Sequence, residues 1–321
     1  MGEFELIRQF FAAARCARPG AGVALGIGDD CALLQVAAGE QLAISTDTLV
    51  EGVHFPPAAD PYLLGQRTLA VAVSDLAAMG AAPLAFTLAL TLPAVSADWL
   101  QAFARGLDAM ATSCDVRLIG GDTTRGPLSL TVTVFGAVPA GQALLRSGAQ
   151  AGDLLCVGGP LGDAAGALAL VLAERTAPDA IVEPLVEHYW SPQPQLALGQ
   201  ALRNRATAAL DISDGLLADC GHIALASGVA LQIEQSRLPL SDALQYLLGE
   251  ASARLAALTG GDDYILAFTL PPACLTELLA EGWPVHVIGS VLPGQGVSLV
   301  DDQGHDITPL IRGYQHFRET P

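Results

Sequence analysis

The stretch Gly120–Val138, GGDTTRGPLSLTVTVFGAV, joins an Asp-centred polar motif to a run of alternating β-branched residues. The run Leu128–Val138 predicts a β-strand, because alternate side chains of a strand lie on opposite faces of a sheet. Neighbouring segments have either the apolar character of strands or the Ala/Leu spacing of helices with one buried face. They predict strands at Leu42–Ser45 and Pro83–Leu92, and helices at Tyr62–Met79 and Ala97–Cys114. The first half of the chain is therefore predicted to be α/β.

The polar segment RSGAQAGD, Arg146–Asp153, lies near the middle of the 321-residue chain. This length is sufficient for two domains. We predict an N-terminal domain of residues 1–148 with a mixed α/β sheet, and a C-terminal α/β domain of residues 149–321 that completes the active site. The second domain is predicted to contain strands Leu154–Gly158, Ala208–Ile212, Tyr264–Leu270 and His286–Val291, and helices Ala164–Ala173, Leu216–Ala226 and Pro272–Glu281. The stretch Thr176–Gln195, which contains SPQPQ, predicts a long loop.

The charge composition excludes several classes of phosphate-binding protein. The chain has 15 basic residues against 33 acidic ones, and every basic residue is Arg. A chain without Lys has no Walker A lysine, no Schiff-base lysine and no strand lysine of a protein kinase. The net charge of −18 argues against nucleic acid or an anionic membrane as a partner. A protein of this kind that handles phosphates must use metal ions as its main cations.

Cysteine usage and hydropathy predict a cytoplasmic protein. The six cysteines are scattered, with no CxxC pair and no Cys/His zinc spacing, which favours buried reduced thiols. The segment MGEFELIRQFF predicts an amphipathic helix rather than a signal peptide, because it lacks a basic region and a long apolar stretch. No segment reaches transmembrane length without an interrupting Gly, Pro or charge.

Five short motifs place Asp beside Gly, Ser or Thr, next to apolar runs. They are GIGDDCALL with Asp29 and Asp30, STDTLVEGVHF with Asp47, SDLAAMG with Asp75, GGDTT with Asp122, and DISDG with Asp211 and Asp214. These aspartates cannot all be core residues, because unpaired buried carboxylates are costly. Hard oxygen ligands at the ends of strands and helices suit Mg²⁺, which in turn binds phosphates. The layout, with four motifs in the first domain and one in the second, predicts a metal–phosphate site at the domain interface.

Each motif taken singly also has a structural interpretation. The Asp29–Asp30 pair is typical of a turn, and GGDTT is compatible with a hairpin turn. Ser213 or Asp214 is compatible with a helix N-cap. No single motif therefore establishes a function, and the functional interpretation depends on the presence of all five.

Other polar residues leave similar alternatives open. His54 is compatible with a structural histidine, although its position in EGVHF after Asp47 favours a phosphate or substrate contact. Arg146 is compatible with an ion pair to Asp153, although the scarcity of cations favours a phosphate contact. The sequence GGPLGD, Gly158–Asp163, resembles a phosphate loop before a helix, but Gly-rich turns are frequent.

The motifs together resemble those of the thiamine-monophosphate kinases. GIGDDCALL, STDTLVEGVHF, SDLAAMGAAP, GGDTTRG, the RSGA…GD pair, DISDGL and GGDDY occur in the order and at the spacing of that family. It belongs to the aminoimidazole-ribonucleotide-synthetase-like superfamily of ATP-binding proteins. The resemblance extends from Gly26 to the terminal GYQHF, and the combination of STDTLVEGVHF with SDLAAMG is more specific to the kinases than GGDT or DISDG. It implies the two-domain superfamily fold, ATP as co-substrate, several Mg²⁺ ions, and a homodimer formed by the N-terminal sheets.

The resemblance also implies roles for individual residues. The implied Mg²⁺ ligands are Asp30, Ser45, Thr46, Asp47, Asp75, Asp122, Asp211 and Asp214. The implied ATP contacts are Gly121, Asp122, Arg146 and Ser213. The implied thiamine-phosphate contacts are His54, Asp262 and Tyr314. Asp262 stands where the family usually has Glu, so its carboxylate is retracted by about one C–C bond, roughly 1.5 Å.

The implied reaction, ATP plus thiamine monophosphate giving ADP plus thiamine diphosphate, agrees with the composition. The acceptor is a phosphate monoester with a second pKa of about 6, so it is largely a dianion at neutral pH. We therefore expect neither a general base nor a covalent nucleophile. Phosphoryl transfer then depends on in-line placement and on neutralising charge. Two polyanions on a lysine-free protein of net charge −18 require several Mg²⁺ ions.

Two kinds of alternative function stay open at this point. The first is another enzyme of the superfamily. An aminoimidazole ribonucleotide synthetase is disfavoured by VEGVHF, a selenophosphate synthetase by the absence of Lys, and a hydrogenase-maturation dehydratase by the terminal RETP in place of Cys. The second is a non-catalytic nucleotide- or metal-binding protein, which would be expected to have lost some of the Asp motifs.

Overall fold

The computed structural model describes residues 3–18, 20–311 and 313–314. The chain forms two compact units. Unit 1 comprises residues 1–76, 81–143 and 190–196, and unit 2 comprises residues 77–80, 144–189 and 197–321. The main change from one unit to the other, at residues 143 and 144, lies just before the predicted boundary segment Arg146–Asp153.

Unit 1 is built from alternating strands and helices around a four-stranded sheet. Its elements are α1 (Glu3–Leu6), β1 (Val23–Leu25), β2 (Leu33–Leu34), β3 (Glu40–Val50), α2 (Pro61–Ala78, which runs into unit 2), β4 (Ala82–Leu92), α3 (Ala97–Ser113), β5 (Arg117–Arg125) and β6 (Ser129–Pro139). A π-helical turn, Ile7–Phe11, continues from α1, so the predicted N-terminal helix is confirmed in this distorted form. The sheet order is β3-β6-β4-β5. The strand β4 pairs antiparallel with β6 and parallel with β5.

The two faces of this sheet differ in polarity. Alternation along β3 places Ser45, Asp47 and the buried Leu49 on one face. The opposite face carries threonine pairs: Thr46 Oγ1 lies 2.9 Å from Thr133 Oγ1, and Thr48 Oγ1 lies 2.9 Å from Thr131 Oγ1. That second face also exposes Leu42 and Ile44.

Unit 2 is built on a six-stranded sheet of order β12-β9-β11-β7-β10-β8. Its elements are β7 (Leu154–Val157), α4 (Asp163–Val171), α5 (Asp179–Trp190), α6 (Leu196–Ala201), β8 (Ala208–Asp211), α7 (Leu216–Ser227), β9 (Ala230–Glu234), α8 (Asp242–Leu248), α9 (Glu250–Thr259), β10 (Leu266–Leu270), α10 (Pro272–Ala280), β11 (His286–Leu292) and β12 (Gly296–Val300). Neighbouring strands are antiparallel except β9 and β12. The α7 side chains Leu216, Leu217 and Ile223 join the buried residues of the strands in one core.

The structure contradicts the predicted loop and the hairpin alternative. The stretch Thr176–Gln195 is not a loop, because α5 occupies most of it. The helix forms despite Pro184 in its interior, since Leu185 and Tyr189 are buried and their packing outweighs one lost backbone hydrogen bond. The motif GGDTT is not a hairpin turn, because it lies within β5 and pairs in parallel with β4.

No helix in the described ranges is long and apolar enough to cross a bilayer.

Candidate functional site

The SDLAAMG motif places a carboxylate on the β3 face that carries Ser45 and Asp47. Asp75 lies in α2, and its Oδ2 accepts a short hydrogen bond from the Ser45 hydroxyl. Asp47 lies two residues further along β3, on the same face as Ser45. The structure therefore joins two sequence motifs that are 30 residues apart, and the side chains of Ser45 and Asp47 lie on the same face of the strand.

Thr46 lies between Ser45 and Asp47 in the sequence, but the alternation of side chains along β3 places it on the opposite face of the sheet. Its side chain lies on the other face, where its hydroxyl pairs with Thr133. A metal contact from Thr46 would therefore have to come from its backbone carbonyl oxygen rather than its side chain.

Asp47 and Asp122 lie within strands rather than at strand ends. The strand β3 continues from Asp47 to Val50, and β5 continues from Asp122 to Arg125. The expectation that these carboxylates mark element ends is wrong for both. An edge strand that turns one row of side chains to solvent presents a carboxylate equally well from its middle.

A cavity of about 770 Å³ in unit 1 gathers the GIGDD and GGD motifs. Asp29, Asp30 and Asp122 line it together with the backbone of Gly121. Asp29 and Asp30 form the connection between β1 and β2, where the Asp29 carboxylate accepts a hydrogen bond from the Asp30 N–H at 2.9 Å. The turn interpretation of this motif is therefore confirmed, and the same turn supplies the acidic wall of a cavity.

The N-terminal π-helical turn also contributes to the lining of this cavity. Ile7, Arg8 and Phe11 line it, and Arg8 places a cation in a cavity that also holds three carboxylates. The size lies within the range of small-molecule sites. Sequence reasoning missed Arg8, although π-helical turns are rare and often occur at functional sites.

His54 is fixed by the turn that follows β3. The ring Nδ1 of His54 accepts a hydrogen bond from the Val50 N–H at 3.0 Å. The backbone N–H of His54 donates to the Val50 carbonyl at 2.9 Å. A ring whose Nδ1 is an acceptor carries its proton on Nε2 when neutral. His54 is therefore oriented by its backbone as a hydrogen-bond donor through Nε2.

In unit 2 the DISDG motif follows the end of β8. Asp211 is the buried last residue of that strand, Ser213 is exposed, and Asp214 is half-buried. The N-cap position of α7 belongs to Gly215, whose φ is 121°. The alternative that Ser213 or Asp214 caps the helix is therefore wrong.

A carboxylate that the sequence did not single out organises this loop. Asp219, in the first turn of α7, accepts hydrogen bonds at Oδ2 from the N–H groups of Ser213, Asp214 and Gly215 at 3.0, 3.0 and 3.1 Å. Burial raises the pKa of Asp219 to about 6, against the lowering effect of these hydrogen bonds. An acidic residue in the first turn of a helix was the available sequence signal.

The GGDDY motif packs against the same loop. The Asp262 N–H donates to the Ser213 carbonyl at 2.9 Å, and the Tyr264 hydroxyl donates to Asp262 Oδ1 at 3.1 Å. Asp262 and Tyr264 both have positive φ, 68° and 51°, an uncommon conformation for residues other than Gly that is enriched at functional sites. The Tyr314 N–H donates to the Asp214 carbonyl at 2.9 Å. The structure thus brings Asp214, Asp262 and the Tyr314 backbone together within unit 2.

Asp263, the second Asp of GGDDY, is buried. Its two carboxylate oxygens each accept from the Gly162 N–H at 2.9 Å. Its backbone carbonyl lies 3.1 Å from His188 Nε2. Burial raises the pKa of Asp263 well above its ordinary value. The GGPLGD turn is thereby tied to the GGDDY loop by an internal carboxylate.

Arg146 is exposed. Its backbone carbonyl accepts a hydrogen bond from the Ser227 hydroxyl at 3.2 Å. The Asp153 carboxylate accepts instead from the Gln150 N–H at 2.9 Å and from the Thr207 hydroxyl at 2.7 Å. Within the described ranges no ion pair joins Arg146 to Asp153, so the structural alternative for Arg146 is not observed.

The donor chemistry of the motifs is that of a hard cation. Carboxylate and hydroxyl oxygens predominate, as Mg²⁺ prefers. In the described part of the chain, no group of three or more His, Cys, Asp or Glu side chains is already arranged around one point. The residues therefore fit Mg²⁺ by donor type, while the ligand number at any one ion stays a prediction.

The cysteines are free thiols. Cys16, Cys114, Cys156 and Cys220 are buried as expected, whereas Cys31 is exposed and Cys274 is half-buried. Burial raises the pKa of Cys156 to about 12, which makes that thiol unreactive. Cys31 lines the unit 1 cavity beside Asp30.

Comparison with known proteins defines the class first. A family model described as AIR synthase related protein, N-terminal domain, matches residues 28–138, and the corresponding C-terminal domain model matches residues 150–302. The chain is thus an AIR synthase related protein with both domains of that fold, as expected from the sequence.

Individual relatives narrow the class. The chain is 46% identical over 323 residues to the thiamine-monophosphate kinase of Salmonella typhimurium, with 98% of each chain covered. The crystal structure of thiamine-monophosphate kinase from Stenotrophomonas maltophilia K279a matches with a TM-score of 0.85 and 48% identity, covering 93% of this chain and 96% of that one. AaThiL complexed with AMPPCP and TMP matches with a TM-score of 0.80 and 30% identity, covering 88% and 89%. The chain belongs to the thiamine-monophosphate kinase family, a family of phosphotransferases, and the synthetase and non-catalytic alternatives are thereby disfavoured.

Proposed function

We propose that this protein transfers the γ-phosphoryl group of ATP to thiamine monophosphate, giving thiamine diphosphate and ADP in thiamine diphosphate biosynthesis. The observation that carries the proposal is the 46% identity to a thiamine-monophosphate kinase over 98% of both chains. The complex of AaThiL, a structural relative at 30% identity, with AMPPCP and TMP supports the same pair of substrates.

The nucleotide is assigned to the unit 1 cavity. Gly121 and Asp122 line it, and the family resemblance implies that both contact ATP. Arg146 and Ser213 of unit 2 are the further ATP contacts that the family resemblance implies. The exposed Arg146 guanidinium suits bidentate contact with a phosphate.

The acceptor is assigned to His54, Asp262 and Tyr314. The backbone-fixed Nε2–H of His54 suits a phosphate oxygen, and the Asp262 carboxylate, held by Tyr264, suits the cationic thiazolium of thiamine. Because Asp262 replaces the usual Glu of the family, we expect the acceptor to bind through Asp262 more weakly than it does through a Glu.

Magnesium ions are assigned to the acidic motifs. Their ligands would be Asp30, Ser45, Asp47, Asp75, Asp122, Asp211 and Asp214, with the Thr46 carbonyl. When bound, Mg²⁺ supplies the positive charge that lets two polyanions approach each other on an acidic protein. The carboxylates themselves hold no proton that the reaction needs, because the acceptor phosphate is already ionised at neutral pH.

The proposed mechanism is a direct in-line transfer without a phosphoenzyme. Covalent catalysis needs a nucleophile activated by a base or by a lowered pKa, whereas the acceptor phosphate is already an anion at neutral pH and would gain little from an intermediate. Incubation with γ-labelled ATP and Mg²⁺ without acceptor should leave the denatured protein unlabelled. Stoichiometric label that chases into product on addition of acceptor would refute direct transfer.

The activity is tested by incubating the protein with ATP, Mg²⁺ and thiamine monophosphate, then quantifying ADP and thiamine diphosphate by chromatography. Both products should appear in equal amounts, and omission of the acceptor should abolish ADP formation. ADP release that does not depend on thiamine monophosphate would contradict the proposal. Raising free Mg²⁺ at fixed MgATP should increase the rate further, and a flat response would limit the site to the nucleotide-bound ion.

Asp47→Asn and Asp122→Asn test the metal assignment. The amide preserves shape but removes the charge, so turnover should fall severely with little change in unfolding. Glu40→Gln is the matched control, since it removes one charge from the exposed start of the same strand as Asp47. Normal turnover of either Asp variant at saturating Mg²⁺ would exclude that residue as a ligand.

We also propose a cytoplasmic homodimer. Ile44 is 58% exposed and Leu42 is 40% exposed on the threonine-bearing face of the unit 1 sheet, and exposed apolar groups on a sheet face favour association. Ile44→Lys should lower the mass measured by sedimentation to that of a monomer. Leu225→Lys, at a site in unit 2 that is 84% exposed, is the control and should leave the mass unchanged. A wild-type monomer would refute this part of the proposal.

A further inference from the structure

The N-terminus of α7 carries three N–H groups that converge on one point. The groups belong to Ser213, Asp214 and Gly215, and they meet at Asp219 Oδ2 at distances of 3.0 to 3.1 Å. Consecutive N–H groups at the start of a helix form a ready anion site, which phosphate-binding proteins commonly use for the phosphate itself. Here the anion is supplied by the chain, because Asp219 is only 4% exposed and belongs to the same helix.

A second helix start in unit 2 is closed in the same way. The helix α4 begins at Asp163, and the N–H of Gly162 immediately before it donates to both oxygens of Asp263 at 2.9 Å. Asp263 is 1% exposed. The GGPLGD turn, which resembles a phosphate loop in sequence, therefore has an internal carboxylate where a phosphate oxygen would lie.

The loop that Asp219 holds is the support for the other candidate residues of unit 2. The Ser213 carbonyl accepts from the Asp262 N–H, and the Asp214 carbonyl accepts from the Tyr314 N–H, each at 2.9 Å. The backbone at Gly261 packs closely against that of Ser213, because a Cβ added at Gly261 would lie 2.2 Å from the Ser213 carbonyl oxygen. A shift of the 213–215 backbone would consequently displace Asp262 and Tyr314 as well.

We infer that Asp219 is a positioning residue that closes the anion site at the start of α7. The DISDG loop then meets the nucleotide through the side chains of Asp211, Ser213 and Asp214, and not through its backbone N–H groups. This inference rests on the proposed function. The N–H groups hold the protein's own carboxylate rather than a phosphate. The carboxylates of Asp211 and Asp214 can then be joined to a phosphate only by a cation.

Asp219→Ala tests the inference because it vacates the anion site. Inorganic phosphate should bind the purified variant in calorimetry without any substrate present, and formate should bind in the space of the lost carboxyl group. The value of kcat should fall about 100-fold, as expected for roughly 1 Å of misplacement. Formate should restore part of this loss, because it returns an acceptor to the three N–H groups.

Asp153→Ala is the matched control. Asp153 is 6% exposed and accepts from one N–H and one hydroxyl rather than from a helix start. This variant should lose stability, yet it should show neither phosphate binding nor a response to formate. Asp219→Asn, which keeps an acceptor oxygen without its charge, should lie between wild type and Asp219→Ala in kcat.

The outcomes separate this inference from the proposed function. Phosphate binding by Asp219→Ala is measured without thiamine monophosphate, so it stands even if the wild type turns over a different acceptor. An Asp219→Ala protein that folds, binds no phosphate and gains nothing from formate would overturn the inference. If that variant does not fold, a folded Asp219→Asn protein with wild-type kcat and Mg²⁺ dependence would overturn it equally.

Discussion

Replacing Gly121 with Ala tests whether the close approach of β5 to β4 positions Asp122. A Cβ at residue 121 would lie 1.9 Å from the Leu88 carbonyl oxygen, and the φ of Gly121 is +152°. The contact must open by about 1.5 Å or more before ordinary van der Waals distances are restored. Overpacking costs about 1–3 kcal/mol, and a disfavoured φ costs about 1–3 kcal/mol more.

The free energy of unfolding should therefore fall by about 2–6 kcal/mol, a large part of the stability of an ordinary domain. The movement also displaces Asp122, the next residue, so kcat should fall by about 100-fold in the fraction that stays folded. Urea denaturation followed by circular dichroism measures the first effect. Steady-state kinetics with thiamine monophosphate and ATP measure the second.

The neighbouring glycine supplies the control. A Cβ at Gly120 would meet only Thr87 Cγ2, at 3.8 Å. Gly120→Ala should therefore stay within about 0.5 kcal/mol of the wild type and keep its turnover. If Gly121→Ala unfolds at the same urea concentration as Gly120→Ala and has the same kcat, the close approach of the strands does not position Asp122.

Three further predictions concern single side chains. Arg146→Ala should raise the KM for ATP more than the KM for thiamine monophosphate, because the implied contact is to nucleotide phosphates. Initial rates measured with each substrate varied in turn test this prediction, and an unchanged KM for ATP would contradict it. Iodoacetamide should modify the exposed Cys31 well before the buried Cys156, and ATP should slow the reaction at Cys31. Mass spectrometry measures the rate at each thiol, and equal rates at the two would count against the cavity assignment. Burial raises the folded pKa of Asp219 to about 6, against about 3.9 in the unfolded chain, so the native state holds the extra proton between these values. The contribution of Asp219 to the free energy of unfolding should therefore fall by about 2 kcal/mol as pH rises from 4 to 7. Urea unfolding of wild type and Asp219→Asn at several pH values tests this, and parallel pH profiles would refute it.

Local pattern determined most of the elements. The alternation in LSLTVTVFGAV and the Ala/Leu spacing before it located β6, α2 and α3 to within one or two residues, because both periods follow from backbone geometry alone. The same reasoning failed for α5, where Pro184 and the SPQPQ segment argued for a loop. Only the burial of Leu185 and Tyr189, a tertiary property, stabilises that helix.

The ligand chemistry of the candidate site could also be predicted from the sequence, because its carboxylates lie in short motifs on a chain without Lys. Which of those residues meet was decided by the fold. The contact of Ser45 with Asp75 and the opposite orientation of Thr46 depend on strand register and on the position of α2. Asp219 and Asp263 were missed because an acidic residue near the start of a helix or in a loop is a weak sequence signal, which does not show that the side chain is buried or that it accepts from backbone N–H groups. The Asp263 bond to the Gly162 N–H joins residues 101 positions apart and exists only in the tertiary structure. The Asp219 bonds span four to six residues and depend on the conformation that the folded chain gives to the loop before α7.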